Sequence, residues 1–247
     1  MNRIGCGIFS LLRFSYLLQL IKSLEKASGK EQIHFYLFQD GGRNLSSGKL
    51  RATRLQIKAS VSIFEDSELP NKEVVAREHN VGIPVNMFDG IDYVFERHPI
   101  GVFLENDIVV SSGYFELMLE MLEKYGGMVK AGDSPNVGEG IKQRKRVGGS
   151  NWAIEKENWK KVRPFLKPFI TEMRKKDYAE AKPKDLRERF GCPTQDCIRS
   201  IAAEKAGVKI WETAQPKVRF IGLKGSHGHS EQVLGVTQKA IEVKIEV

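Results

Sequence analysis

The sequence predicts an α/β domain with a mixed, mostly parallel central sheet flanked by helices. Three observations carry that prediction. A strand-forming run from Arg3 to Phe9 is followed by a helical apolar face at Leu17, Leu20, Ile21 and Leu24, and then by a second strand-like run from Ile33 to Phe38. A strand, a helix and a strand in succession form a parallel βαβ unit. Further on, Gly101-Val102-Phe103-Leu104 is uninterrupted and apolar, as in a strand covered on both faces. Strands and helices then continue to alternate as far as about residue 131.

The elements follow in order. Leu17, Leu20, Ile21 and Leu24 fall at i, i+3, i+4 and i+7, and Gly29 can end that helix. The aromatic run Ile33 to Phe38 leads into a turn, Gln39-Asp40-Gly41-Gly42. Ligands of open α/β sheets bind at the carboxyl ends of strands, which makes Asp40 a candidate site residue. Residues 43–71 are less regular, with one strand expected over Leu55 to Ile63. Val74 to Gly82 leads into a helix from Pro84 to Glu96. After the central apolar strand come Glu105-Asn106-Asp107, then a helical face at Phe115, Met118, Leu119 and Leu122, capped by Ser111 or Ser112 and stopped by Gly126.

The second half changes character. Gly132 to Gly149 is rich in glycine and charge and reads as a loop. A strand is expected over Ser150 to Ile154, and a helix over Glu155 to Phe165 with Trp159 on its buried side. Arg174 to Arg189 is highly charged and expected to be exposed. Gln195 to Ala206 reads as a helix, and Val218 to Leu223 as a late strand before Gly225-Ser226-His227-Gly228-His229. With no internal repeat and no low-complexity linker, residues 1–247 read as one domain.

Composition excludes several classes. With 41% hydrophobic residues the chain of 247 can build a core, which excludes disorder as its main state. The greasiest stretch, Ile4 to Leu20, is broken by Arg13 and falls short of the roughly 18–20 uncharged residues of a membrane span. It also lacks a signal-cleavage pattern, so a cytoplasmic protein is expected. Cys6, Cys192 and Cys197 are an odd count without framework spacing and read as reduced thiols. The Cys192/Cys197 pair has no second pair or nearby histidine to complete a zinc site. There are 39 Lys and Arg against 31 Asp and Glu, a net charge of +8. The basic residues are spread along the chain, and the one dense run is Lys142, Arg144, Lys145 and Arg146. Nucleic acid requires clustering on one face, so a pocket for phosphorylated ligands is preferred.

Glu105-Asn106-Asp107 carries the most chemistry. Carboxylates at the end of a buried strand are costly unless compensated. A divalent cation bound to a diphosphate compensates them, because hard oxygen ligands suit Mg²⁺ or Mn²⁺. The other reading is a polar strand end that caps the following helix.

A strand, an acidic triplet and an apolar helix resemble the Asp-x-Asp region of GT-A-fold glycosyltransferases. The closer likeness is to the N-acetylglucosaminyltransferase I family, which transfers N-acetylglucosamine from a UDP-sugar onto N-glycans. Arg13 followed by Leu17-Leu18 resembles that family's arginine after the first strand. Phe38-Gln39-Asp40-Gly41 resembles its Ser-Gln-Asp segment. Leu104-Glu105-Asn106-Asp107, followed by Tyr114-Phe115-Glu116, is similar to its Glu-Asp-Asp and Phe-Phe-Glu segment. Gly222-Leu223-Lys224-Gly225-Ser226-His227-Gly228 is similar to its late glycine- and histidine-containing loop, one residue shorter. Weaker echoes are Trp152 with Trp159, and Gln195-Asp196-Cys197-Ile198-Arg199 against an Asp-Asp-Trp-Met-Arg segment. The common order of these segments spans most of the chain.

The resemblance implies roles. Residues 1–131 would form the nucleotide-sugar-binding half and residues 132–247 the acceptor-facing half. Asp107 would be the direct ligand of Mn²⁺ or Mg²⁺, Glu105 would face the donor sugar, and Asn106 the ribose. Asp40 would contact the nucleobase, Arg13 the diphosphate, and Ser226 would close on it. Asp196 would be the general base of an inverting transfer from a UDP-sugar to a hydroxyl of a glycan or other acceptor. Asn106 stands where the family has Asp, which bears on base and sugar preference. Arg77 and Asn80 either line the nucleotide pocket or belong to a solvated turn. His227 is a further candidate metal ligand, and Trp152 is a candidate to stack on the face of an acceptor sugar, with Trp159 as core. Three rival readings are a sugar nucleotidyltransferase, a nucleic-acid-binding module and a catalytically silent nucleotide-sugar binder. The nucleotidyltransferase would carry an N-terminal glycine-rich phosphate loop, which Ile8 to Arg13 lacks.

Overall fold

The computed structural model describes residues 3–132, 140–146, 148–149 and 151–222. Ser226, His227 and His229 therefore lie outside the described residues, as does the end of the expected strand at Leu223. Ten strands are described: β1 (Ile4–Ser10), β2 (Ile33–Gln39), β3 (Lys72–Ala76), β4 (Ile100–Glu105), β5 (Ile108–Val110), β6 (Met128–Gly132), β7 (Ile141–Arg144), β8 (Asn151–Glu155), β9 (Ile210–Pro216) and β10 (Val218–Phe220). The helices are α1 (Phe14–Glu25), α2 (Arg54–Glu65), α3 (Ile83–Arg97), α4 (Tyr114–Tyr125), α5 (Lys156–Met173), α6 (Pro183–Phe190) and α7 (Gln195–Lys205).

Eight strands form one sheet in the order β3-β2-β1-β4-β8-β6-β9-β7. β1 pairs in parallel with β2 and β4, and β2 with β3. β8 runs antiparallel to both of its neighbours, β4 and β6, and the edge strand β7 runs antiparallel to β9. β5 and β10 form a separate antiparallel pair. Alternation along each central strand divides the core into two layers. Cys6, Ile8, Phe35, Leu37, Val102 and Leu104 pack against α1, α2 and α4, while Phe9, Tyr36, Phe38 and Phe103 face α3, α5 and α7. Gly5 sets how closely α3 approaches: a Cβ there would stand 2.6 Å from Val94 Cγ1 and 2.7 Å from His98 Cδ2.

Several expectations are corrected. Leu55 to Ile63 is helical, within α2, and not a strand. Thr53 and Gln56 form a capping box, and the helix buries Ser60 and Phe64, one turn apart, leaving Leu55 outside. The edge strand β3 was not read from the sequence. α5 runs on to Met173 because Leu166, Phe169, Ile170 and Met173 extend the buried stripe past Phe165. The basic run is not a plain loop, since Lys142 and Arg144 belong to β7 and Arg144 Nε lies 2.8 Å from Glu212 Oε2. The charged stretch from Arg174 to Arg189 is anchored by buried Asp177 and Leu186.

Cys192 and Cys197 are joined in a disulfide, which overturns the reading of both as reduced thiols. Gly191, at φ 77°, ends α6, and Thr194 caps α7 through the Cys197 N–H. The reversal between them brings the two cysteine Cα atoms to 6.0 Å. Cys6 is the free, buried thiol among the described residues. Closing so short a loop restricts the unfolded chain by about 2 kcal/mol. Reduction is expected to lower unfolding stability by about that amount, read from denaturant melts with and without reductant. No described helix is long and apolar enough to cross a membrane.

Candidate active site

β1 and β4 lie side by side and parallel, with Phe9 in register with Glu105. Their carboxyl ends therefore present the segment up to Arg13 beside Glu105-Asn106-Asp107. Arg13 stands at the N-terminal boundary of α1, and its Nη1 meets Asp107 Oδ2 at 2.6 Å. Asp107 is buried, and its Oδ1 has no hydrogen-bond partner among the described residues. The chain after β10 crosses directly over it. The Ile221 N–H donates to the Asp107 carbonyl at 2.8 Å, and a Cβ on Gly222 would stand 2.8 Å from Asp107 Oδ2. Asn106 is buried as well and donates to Ser10 Oγ at 3.2 Å.

Strand alternation turns Glu105 to the same face as Phe103. Phe103 is the cross-strand partner of Trp152, with ring centroids 4.6 Å apart. α7 covers this face, sending Ile198, Ala202 and Ala203 into the core. Asp196 lies in its first turn and Arg199 one turn later, with Arg199 Nη1 3.1 Å from Asp196 Oδ1. The Arg199 guanidinium, fully buried, lies over the Trp152 ring at 4.5 Å. Trp152 is itself 1% exposed. The expectation that it stacks on an acceptor sugar is corrected, because Arg199 covers its ring. Trp159 is core, as expected.

The site concentrates charge. Burial pushes the Glu105 carboxyl up, reinforced by the charges of Asp196 and Asp107 and opposed by Arg13 and Arg199. Burial also raises Asp196, against the pull of Arg199, the Gly149 N–H and Lys130. The Tyr178 hydroxyl, which donates to Gln195 Oε1 at 2.9 Å, is pushed up to about 12 by burial and by Asp196 and Glu105. Behind them, buried Lys130 pairs with Glu212 at 3.2 Å. Two carboxylates from distant parts of the chain thus face each other, and at least one of them holds its proton more tightly than a free carboxyl does.

The residues expected at the nucleobase are engaged within the protein. Asp40 accepts four hydrogen bonds: Gly41 N (3.0 Å) and Val81 N (2.9 Å) on Oδ1, Asn80 Nδ2 (2.8 Å) and Gly82 N (3.0 Å) on Oδ2. Asn80 in turn accepts from Asn44 Nδ2 at 3.0 Å. Arg77 donates to Asn86 Oδ1 at 2.8 Å and pairs with Asp89 at 3.3 Å. These side chains organise the loops at the carboxyl ends of β2 and β3, where a cavity of about 460 Å³ lined by Phe38, Val75, Arg77 and Tyr93 opens.

Burial raises the Asp40 carboxyl to about 6, opposed first by the N–H groups of Val81 and Gly41. The folded state thus binds this proton more tightly than the unfolded chain does. That contribution is complete below the unfolded value and is lost as pH rises through about 6. Asp40→Ala leaves four donors without their acceptor and is expected to cost about 2–4 kcal/mol. The loss should be larger at pH 5 than at pH 8 in denaturant unfolding.

The sequence missed Arg199, Lys130 and Tyr178. Arg199 was visible only as the residue one helical turn beyond Asp196, since lone charged residues are mostly exposed. Asp107 fits a divalent cation as a single-carboxylate ligand. Its buried Oδ1 is unpaired among the described residues, and such ions are commonly held by one or two carboxylates with substrate phosphates and water. Among the described residues there is no group of three or more His, Cys, Asp or Glu that could hold a metal by itself.

No protein-family model matches the sequence, and no curated protein matches it. The fold does have solved counterparts. Residues 1–349 of S. aureus TarS superpose with a TM-score of 0.55 at 11% identity, covering 90% of this chain and 61% of that one. The mannosyltransferase PcManGT from Pyrobaculum calidifontis, in complex with GDP-Man and Mn²⁺, gives 0.52 at 11% identity, covering 87% and 57%. The chain thus spans about three fifths of the length of each. At that identity the likeness concerns the fold, and the fold is GT-A, as the resemblance of the strand, acidic triplet and helix around Glu105-Asn106-Asp107 implied.

Proposed function

We propose that this chain is a divalent-cation-dependent, inverting glycosyltransferase that moves a sugar from a UDP-sugar, N-acetylglucosamine being the first candidate, to an acceptor hydroxyl. The observation that carries the reading is the pairing of Glu105-Asn106-Asp107 with Asp196 across the face of β4, on a GT-A sheet. The mannosyltransferase of the same fold, solved with a nucleotide sugar and Mn²⁺, supports the class of chemistry.

The roles follow from position. Arg13 holds Asp107 at 2.6 Å and offers a guanidinium suited to phosphate oxygens. The Asp107 Oδ1 would hold the cation, which when bound neutralises charge on the departing diphosphate. Glu105 faces the sugar side of the strand end. Asp196 takes the proton of the attacking hydroxyl, a role that suits a carboxylate raised by burial and 18% exposed. Arg13 adds electrostatic stabilisation as negative charge grows on the leaving group.

The test is a panel of UDP-sugars incubated with candidate acceptors, with the anomeric configuration of the product read by NMR. Transfer with inversion supports the reading, and retention of configuration removes Asp196 as the base. Tight donor binding with no turnover on any acceptor would favour a silent binder.

A further inference from the structure

We infer that Arg199 is a positioning residue that seats on the Trp152 ring and fixes Asp196 beside Glu105, so that two carboxylates can occupy one site. The inference rests on the reading of Asp196 as the base. Arg199 is fully buried, at 0% exposure, and its guanidinium is a flat cation at 4.5 Å over an indole that is itself 1% exposed. A cation over an aromatic face is held in orientation as well as in place. From that seat Nη1 reaches Asp196 Oδ1 at 3.1 Å, and Nη2 reaches the Gly149 carbonyl at 3.5 Å.

A buried arginine with a purely structural part is expected to have its donors filled, because unpaired buried donors are costly. Among the described residues, neither Nε nor Nη1 finds an aligned hydrogen-bond partner. Beyond the bond from Nη2 to the Gly149 carbonyl, the side chain contributes chiefly its charge, held between two acids. Asp196 faces Arg199 on its own helix, Glu105 from β4, Lys130 from β6 and Tyr178 from the turn before α6. Arg199 is the fully buried cation of this set and pairs with Asp196 at 3.1 Å, so it sets both the aim and the charge of the base.

The experiment compares wild type with Arg199→Met, which keeps an apolar body over Trp152, and with Arg199→Lys. Donor affinity, kcat and its pH profile, and the Asp196 carboxyl titration by ¹³C NMR are measured. Arg199→Met should lose about 100-fold or more in kcat with donor Kd little changed. The Asp196 titration and the acid limb of kcat should move up together by about one pH unit or more. Arg199→Lys should restore part of each. An Arg199→Met enzyme whose Asp196 titrates as in wild type, or whose activity loss only follows its unfolded fraction, overturns the inference. Where Arg199→Met does not fold, an unmoved Asp196 titration in Arg199→Lys does so. A wild type with no turnover would instead count against the proposed function, and the NMR titration would still decide whether Arg199 governs Asp196.

Discussion

Asp196→Asn is expected to bind donor as wild type does and to lose transfer by about 10²–10⁴-fold. The substitution keeps the shape of the side chain and replaces the basic carboxylate with an amide that cannot take up the proton. The surrounding helix start does not depend on the carboxylate, because Thr194 caps α7 and Ser200 Oγ donates to the Asp196 backbone carbonyl. Removing one of two facing acids also relieves the repulsion that raises Glu105. It also leaves the buried Arg199 cation without its carboxylate, so a stability loss of a few kcal/mol is expected beside the collapse of kcat, and the melting temperature has to be measured with it. Single-turnover kinetics with a saturating donor separates these effects. An Asp196→Asn enzyme transferring at more than about a tenth of the wild-type rate would remove Asp196 as the base.

The second large effect is expected at Asp107. Asp107→Asn keeps the volume beneath Gly222 but withdraws the charge that pairs with Arg13 and the oxygen proposed for the cation. Affinity for a nucleoside diphosphate in Mn²⁺ should fall about 100-fold or more, while the weak affinity without Mn²⁺ should change little. A residual gain from Mn²⁺ equal to that of wild type, measured by titration calorimetry, would make Asp107 a purely structural partner of Arg13. Breaking the Arg13 pair also carries a stability cost of a few kcal/mol when one buried partner is removed. The variant's melting temperature accordingly has to be measured alongside its binding.

The parts of the fold legible in the sequence are those whose apolar spacing has one solution. Leu17, Leu20, Ile21 and Leu24 fit only one helical face, and all four are buried in α1. Leu55, Ile57, Val61 and Ile63 do not have one solution. They fall at odd positions and imitate a strand, and the decision lies with Thr53, Gln56 and the turn-spaced pair Ser60 and Phe64. Asp40 was legible as a polar residue at a strand's carboxyl end. Its partners Val81 and Gly82 come from forty residues along, so that its loop-organising bonds could not be read. The disulfide was equally hidden, since two cysteines five apart meet only because Thr194 starts a helix between them. Trp152 was read as a sugar-facing ring and Arg199 was passed over for a common reason: the two meet across the chain, and neither burial is visible in local pattern.

The most direct test of the central claim is the melting temperature of the full chain with UDP, GDP, CMP and TDP, each with and without Mn²⁺. A ligand that binds only the folded state raises stability by mass action, about 2.7 kcal/mol at 100 times its Kd. The account predicts a rise with UDP that requires Mn²⁺ and disappears in Asp107→Asn. A metal-dependent rise with another nucleotide alone would move the donor away from UDP. No rise with any nucleotide, with or without Mn²⁺, would contradict the account and leave Glu105-Asn106-Asp107 as a structural strand end.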